Sequence, residues 1–172
     1  YAMPRYMTND VKQFRWREAL VVLSDTSRAL KEINPDLEIT CCVHATQNGY
    51  YVSEYRGYDN WDMVAACPYF DVFSTTIVNW ALPEDFFRDI TERTVAIAKK
   101  YGKKSERWLM GYYKQPKDWA QVARWADIAA ELGVDRIAAW TYRGGYGTVV
   151  GAPDALKLWD TIGENYKRLL KK

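Results

Sequence analysis

The alternation of short apolar segments with longer amphipathic ones is the feature that most limits how this 172-residue chain can fold. Apolar, β-prone segments begin near residues 38, 71, 107 and 136; a helical segment follows each, and another precedes the first. Strand–helix repeats of about 30 residues are typical of βαβ units, whose strands lie parallel with right-handed crossovers. No linker or break in composition interrupts the series. We therefore predict one α/β domain over residues 1–172.

Local signals place the individual elements. We predict strands over residues 37–45, 71–78, 107–113 and 136–142, and helices over residues 10–33, 61–67, 84–101, 118–132 and from 153 towards the C-terminus. Gly102 and Gly133 follow helical segments, at the position where a left-handed residue ends a helix. Pro153 and Asp154 are typical of a helix start. The first helix carries an approximate apolar stripe, formed by Phe14, Ala19, Val22, Leu23 and Leu30.

The side-chain pattern within the strands favours part of a barrel. In the first strand Ile39, Cys41 and Val43 share an aliphatic face suited to packing on helices, while the opposite face ends in His44. A doubly wound sheet would be aliphatic on both faces. We therefore predict strands 5–8 of a (β/α)8 barrel, a half-barrel, because a whole barrel has about 250 residues. The alternative is a small open parallel α/β sheet.

Composition argues against several classes of function. The net charge is +2 with both signs interleaved, so we expect no binding to nucleic acid or to a membrane surface. Of three cysteines, Cys41 and Cys42 are adjacent within a strand and point to opposite faces, so we expect free thiols. A single histidine with scattered cysteines cannot supply a typical zinc site. We expect neither a metal nor a cofactor.

Aromatic content points to a binding cleft. The chain has 8 Trp, 13 Tyr and 5 Phe, more than one core needs, and many follow the strands, where barrel sites lie. Aromatic rings stack on the C–H faces of sugars, while sugar hydroxyls need polar partners. The predicted substrate-binding residues are His44, Trp80, Tyr112, Trp140, Tyr142 and Arg143. No catalytic residue is identified; Glu54 and Asp59 are outside candidates on the long loop after the first strand.

Two other readings stay open. The aromatic loop from Tyr50 to Trp61 could belong to a non-catalytic module that binds sugar or protein. The loop from Arg143 to Gly151 is glycine-rich and lies between a strand and a helix, as in phosphate-binding barrel enzymes. Its glycine spacing departs from the dinucleotide fingerprint, however, and Pro153 removes an amide at the helix start.

Several segments resemble glycoside-hydrolase barrels. Leu30–Leu37, which leads into the first strand, is similar to the fourth helix and fifth strand of such barrels. Val72–Thr76 and Ala138–Tyr142 are similar to their sixth and eighth strands. The resemblance implies that Trp140 corresponds to the tryptophan that floors the sugar subsite in chitinase-type enzymes. Enzymes of the cellulase-like clan carry a glutamate at the end of strand seven, and Gly111–Lys114 has no carboxylate at that position, so this clan is disfavoured. The chitinase and hexosaminidase type has its acid at the end of strand four, which would lie before Tyr1.

The leading hypothesis is therefore a carbohydrate-active, glycosidase-like barrel fragment that binds an oligosaccharide or other polyol. If it is an enzyme, it is a glycoside hydrolase, and this half alone is not expected to be active. Four barrel strands leave two free edges. We therefore expect the chain to pair with a second copy, as a homo-oligomer, or with a missing N-terminal half.

Overall fold

The structure, a computed structural model, describes residues 9–44, 60–76, 83–110, 119–140 and 154–171. Four strands lie within these ranges: β1 (Thr40–His44), β2 (Val72–Thr76), β3 (Lys104–Met110) and β4 (Arg136–Trp140). Five helices accompany them: α1 (Asn9–Ile33), α2 (Trp61–Ala65), α3 (Glu84–Lys100), α4 (Trp119–Glu131) and α5 (Ala155–Leu169).

The four strands form one open sheet in the order β1-β2-β3-β4, and every pair is parallel. Because successive strands are neighbours, right-handed crossovers place the connecting helices on one face of the sheet. A (β/α)8 barrel has this winding, whereas doubly wound sheets reverse their strand order. The predicted parallel α/β fold is confirmed. The sheet is not closed, which fits both the half-barrel and the open-sheet alternative.

The core lies between the sheet and its helices. Cys41, Phe73 and Leu109 belong to it, and Val43 and Ile137 pack against it, so the predicted aliphatic face is the helix-covered one. On the helical side, α3 and α4 contribute ring contacts, including the stacked pair Phe87 and Trp125 with centroids 5.1 Å apart. Val72 is buried outside this cluster, as expected for the opposite face of β2.

Helix ends follow the predicted signals. Gly102 (φ 65°) and Gly133 (φ 73°) both adopt the left-handed conformation just after α3 and α4. At α3 the next amide, that of Lys103, donates to the carbonyl of Ala98 at 2.8 Å, the long-range bond of a Schellman motif. The side chain of Asp154 accepts from the amide of Lys157 and caps α5.

The structure departs from the sequence prediction in three places. β1 begins at Thr40, three residues after the predicted start at Leu37. β3 begins at Lys104, three residues before the predicted start at Arg107, because the charged segment pairs with β2 from Val72 onwards. In α1, the predicted stripe is mostly exposed, with Phe14 63% and Val22 64% accessible. Trp16 is buried in the core instead. The described sheet ends at β1, and none of its strands covers the predicted stripe.

Candidate functional site

The face of the sheet opposite the helices is the inside of a curve, which we call the concave face. Glu38 lies two residues before β1, yet its carboxylate pairs with Lys104 of β3 at 2.6 Å and also with Arg136 of β4. Three strand spacings on a flat sheet span about 14 Å. These contacts therefore show that the sheet curves, so that its two edges approach each other over the concave face.

A hydrogen-bonded group of side chains lies on the concave face. The indole Nε1 of Trp108 donates to the Ser74 hydroxyl at 2.8 Å and to the Glu106 carboxylate at 2.9 Å. Ser74 and Glu106 are register partners on β2 and β3, and Trp108 is two residues beyond Glu106, so all three share this face. Glu106 is only 8% exposed. These bonds hold the half-buried Trp108 ring in one orientation.

Cys42 is next to this group, because it pairs in register with Ser74. Loss of hydration raises the pKa of its thiol, and the nearby Glu106 adds to the rise, although the hydrogen bond with Ser74 works the other way. Cys41 faces the helices, where burial raises its pKa to about 12. Both thiols are therefore protonated at neutral pH. Both are free, as predicted, and they point to opposite faces.

Arg107 is a charged residue on the helix-covered face, next to its polar register partner Thr75. It is fully buried, and its guanidinium lies 4.8 Å from the ring centroid of Phe87. Its Nη1 donates to the carbonyl of Thr75 at 2.9 Å and to the Thr75 hydroxyl. Desolvation lowers its pKa to about 9. Among the described residues, its Nε and Nη2 have no hydrogen-bond partner.

Of the residues predicted to bind substrate, the structure describes two at backbone level. His44 ends β1 opposite Thr76, and Trp140 ends β4 opposite Met110. Both lie at the carboxyl ends of their strands, but on the two opposite edge strands of the sheet. The remaining predicted binding residues and both acid candidates lie outside the described residues: Trp80, Tyr112, Tyr142, Arg143, Glu54 and Asp59. Their roles stay predictions.

Three residues near the predicted cleft have structural roles instead. Trp61 is 2% exposed and packs on Phe73, with the guanidinium of Arg93 4.6 Å from its ring centroid. Trp119 belongs to the core. Asp62 accepts hydrogen bonds from Lys100 and Tyr101, which lower its pKa. Trp61 is therefore not available as the surface residue of a protein-binding loop.

Sequence reasoning missed Glu106 and Trp108. The predicted strand starts at Arg107, so Glu106 falls in the loop before it. The missed signal is the alternation of Lys104, Glu106 and Trp108, which continues in steps of two to Tyr112, a predicted binding residue. When this alternation is followed back from Tyr112, it places Glu106 on the same face of the strand as Tyr112.

Comparisons with known proteins add evidence for the fold alone. No family model matches the chain, and no curated protein matches it. Solved structures of similar fold exist. One of them is a protein from Bacteroides thetaiotaomicron VPI-5482, provisionally identified as an alpha-L-fucosidase, with a TM-score of 0.63 and 12% sequence identity. The match covers 87% of this chain and 51% of that one, so the chain spans about half of its neighbour's length. This loosely fits a glycosidase-like fold.

Within the ranges given above, no three His, Cys, Asp or Glu side chains are grouped as metal ligands would be. No helix in those ranges is both long enough and apolar enough to cross a membrane.

Proposed function

We propose that this chain binds carbohydrate on its concave face, as one half of a glycosidase-like barrel. The observation that carries the proposal is the hydrogen-bonded group of Trp108, Ser74 and Glu106. A ring held in place by two hydrogen bonds loses little conformational freedom when a sugar stacks on it. The fold similarity to a provisional fucosidase supports the class of ligand.

The proposed cleft runs from this group towards the carboxyl ends of the strands. Trp140, two residues after Ala138, falls on the concave register of β4, and His44 falls on that of β1. With Trp80, Tyr112, Tyr142 and Arg143 they would supply stacking faces and hydrogen-bond partners for a polyol.

Glu106 is proposed to orient Trp108 and not to transfer protons. Glycoside hydrolysis uses two carboxyl groups across the scissile bond, and barrel enzymes place them at the carboxyl ends of strands. Glu106 is the third residue of β3 and is bonded to Trp108. Hydrolysis would therefore require an acid from elsewhere, either Glu54, Asp59 or a residue preceding Tyr1.

The proposal is tested by calorimetric titration with L-fucose and with oligosaccharides ending in L-fucose. We expect saturable binding that weakens about fivefold or more in Trp140→Ala, because one stacked ring contributes about 1 kcal/mol or more. Trp159→Ala is the matched control, since Trp159 lies on α5, away from the concave face. Equal affinity in both variants, or no binding of any oligosaccharide, would overturn the proposal.

A further inference from the structure

A groove of about 620 Å³ lies between α1 and β1, and β1 is an edge strand of the described sheet. We call it the edge groove. One wall is the side of α1 that carries Phe14, Ala19, Val22 and Leu23. The other wall is β1, and both Cys41 and Cys42 line it. Because these two side chains point to opposite faces, the groove lies beside the strand and not above one face of it.

The position of α1 indicates that the edge groove has the place of a strand. α3 packs on both β2 and β3, the two strands that it connects. A helix that precedes β1 in the same winding is expected to cover β1 and the next strand position beyond it. The side of α1 above that position is apolar yet exposed at Phe14 and Val22. This is the stripe that the sequence predicts for the helix.

β4 forms the opposite edge of the described sheet, and its features complement those of the edge groove. β4 pairs only with β3 among the described strands. Its helix-side residues Ile137 and Ala139 are only partly buried, and α5 packs on α4. An edge strand with apolar side chains on its helix side is what the edge groove would accept.

We propose that two copies of this chain pair edge to edge, with β4 of each copy in the edge groove of the other. Ile137 and Ala139 would then lie under the partner's α1, and the free backbone groups of β1 and β4 would be paired. The parallel order continues across both joints. Two-fold symmetry closes the assembly, so that no edge remains. It contains eight strands, the number of a (β/α)8 barrel, in which ligand sites lie at the carboxyl ends of the strands.

Sedimentation velocity over a range of concentrations tests the proposal. We expect the wild-type chain of 20.0 kDa to sediment as a dimer. Val22→Asp places a charge in the edge groove and should sediment as a monomer. Val21→Asp is the matched control, because Val21 is the adjacent valine, is 55% exposed and does not line the groove. It should remain dimeric.

Hydrogen exchange of the wild-type chain gives an independent readout if a variant fails to fold. We expect the amides of β1 and β4 to become more protected as the concentration rises through the dimer transition, while those of β2 do not change. A wild-type monomer with native circular dichroism at high concentration would overturn the proposal and would indicate that another strand of a longer polypeptide fills the groove. Dissociation of both valine variants alike would also contradict it.

Discussion

At the scale of single residues, two adjacent charges in β3 point to opposite faces. Glu106 faces the concave side, where Trp108 donates to it. Arg107 faces the helices, where Thr75 accepts from it. The carboxylate has an indole donor, whereas part of the guanidinium has no partner among the described residues. The expected consequence is that Arg107 costs folding free energy.

Replacing Arg107 with methionine should stabilise the fold. Methionine keeps an unbranched side chain over Phe87 and removes a buried cation, an exchange that is commonly neutral or stabilising by about 1–4 kcal/mol. We expect a gain of about 1–2 kcal/mol in the free energy of unfolding at pH 7, measured by urea denaturation. Arg124→Met is the control, because Arg124 is an exposed arginine on α4. It should give no gain.

The same variant has an expected pH dependence. The pKa of Arg107 is about 9 in the folded chain and higher in the unfolded chain. Between these values the unfolded chain binds more protons, so wild-type stability rises with pH. The advantage of Arg107→Met should therefore be full at pH 7 and smaller at about pH 10. A loss of more than about 2 kcal/mol at pH 7 would mean that the bonds to Thr75 outweigh the burial cost.

At the scale of elements, two strands are each preceded by an aspartate. Each of these aspartates accepts hydrogen bonds from the beginning of the neighbouring, earlier strand. Asp71, before β2, accepts from the amide of Ile39 at 2.9 Å. Asp135, before β4, accepts from the amide and hydroxyl of Ser105 at 2.7 and 2.8 Å. Burial works to raise the pKa of Asp71, but Lys31 and the Ile39 amide hold it below its usual value. Each aspartate thus links two adjacent units.

Asp135→Asn should destabilise the sheet at neutral pH. The hydrogen bond from the Ser105 amide is the largest cause that lowers the pKa of Asp135, and the bond from the Ser105 hydroxyl adds to it. Both bonds therefore favour the charged carboxylate. We expect a loss of about 1 kcal/mol at pH 7 by urea denaturation, the usual contribution of a hydrogen bond. A lowered folded pKa gives stability that is present above the unfolded pKa of about 3.9 and is lost as pH falls through the folded value. The difference should therefore shrink below about pH 4.

The exposed Asp36 supplies the control for this prediction. Its side chain lies in the turn after α1, and Asp36→Asn should leave the free energy of unfolding unchanged. A pH-independent loss in Asp135→Asn would show that shape matters at this position and charge does not.

Elements were predictable where short-range signals mark them. The period of α1, the glycines after α3 and α4, and Asp154 before α5 act within one helical turn, so they can be read locally. The start of β3 could not be found this way. Its residues Lys104–Arg107 are mostly charged, and they form a strand because β2 and β4 pair with them.

At the scale of the whole molecule, Glu38 connects distant parts of the sheet. Its ion pairs reach Lys104 and Arg136, which begin β3 and β4. The hydrogen bond from Lys104 is the largest cause that lowers the pKa of Glu38. Partial desolvation opposes this effect, and the hydrogen bond from Arg136 lowers the pKa further. Because these strands are two and three positions away from β1, the pairs stabilise the curvature of the sheet.

Glu38→Gln should lower the urea midpoint of unfolding at low ionic strength. The glutamine keeps the size of the side chain and removes the charge that joins three strands. In about 1 M salt, where the screening length is about 3 Å, the difference from wild type should shrink. Glu164→Gln removes a local surface pair with Lys167 on α5 and should have a smaller effect. Equal effects of the two substitutions would contradict the curvature role of Glu38.

The amino-acid sequence alone determined the parallel α/β class, the order of the units, the helix ends and the face of β1 that packs on helices. These properties depend on residues within a few positions of one another, where alternation, capping and left-handed glycines operate. Only the tertiary structure decided that Glu106 and Trp108 lie together on the concave face, that Arg107 is buried, and that the apolar stripe of α1 lies along the β1 edge of the described sheet. Whether a charge is buried or an apolar face is covered depends on partners from distant segments, and no local pattern encodes them.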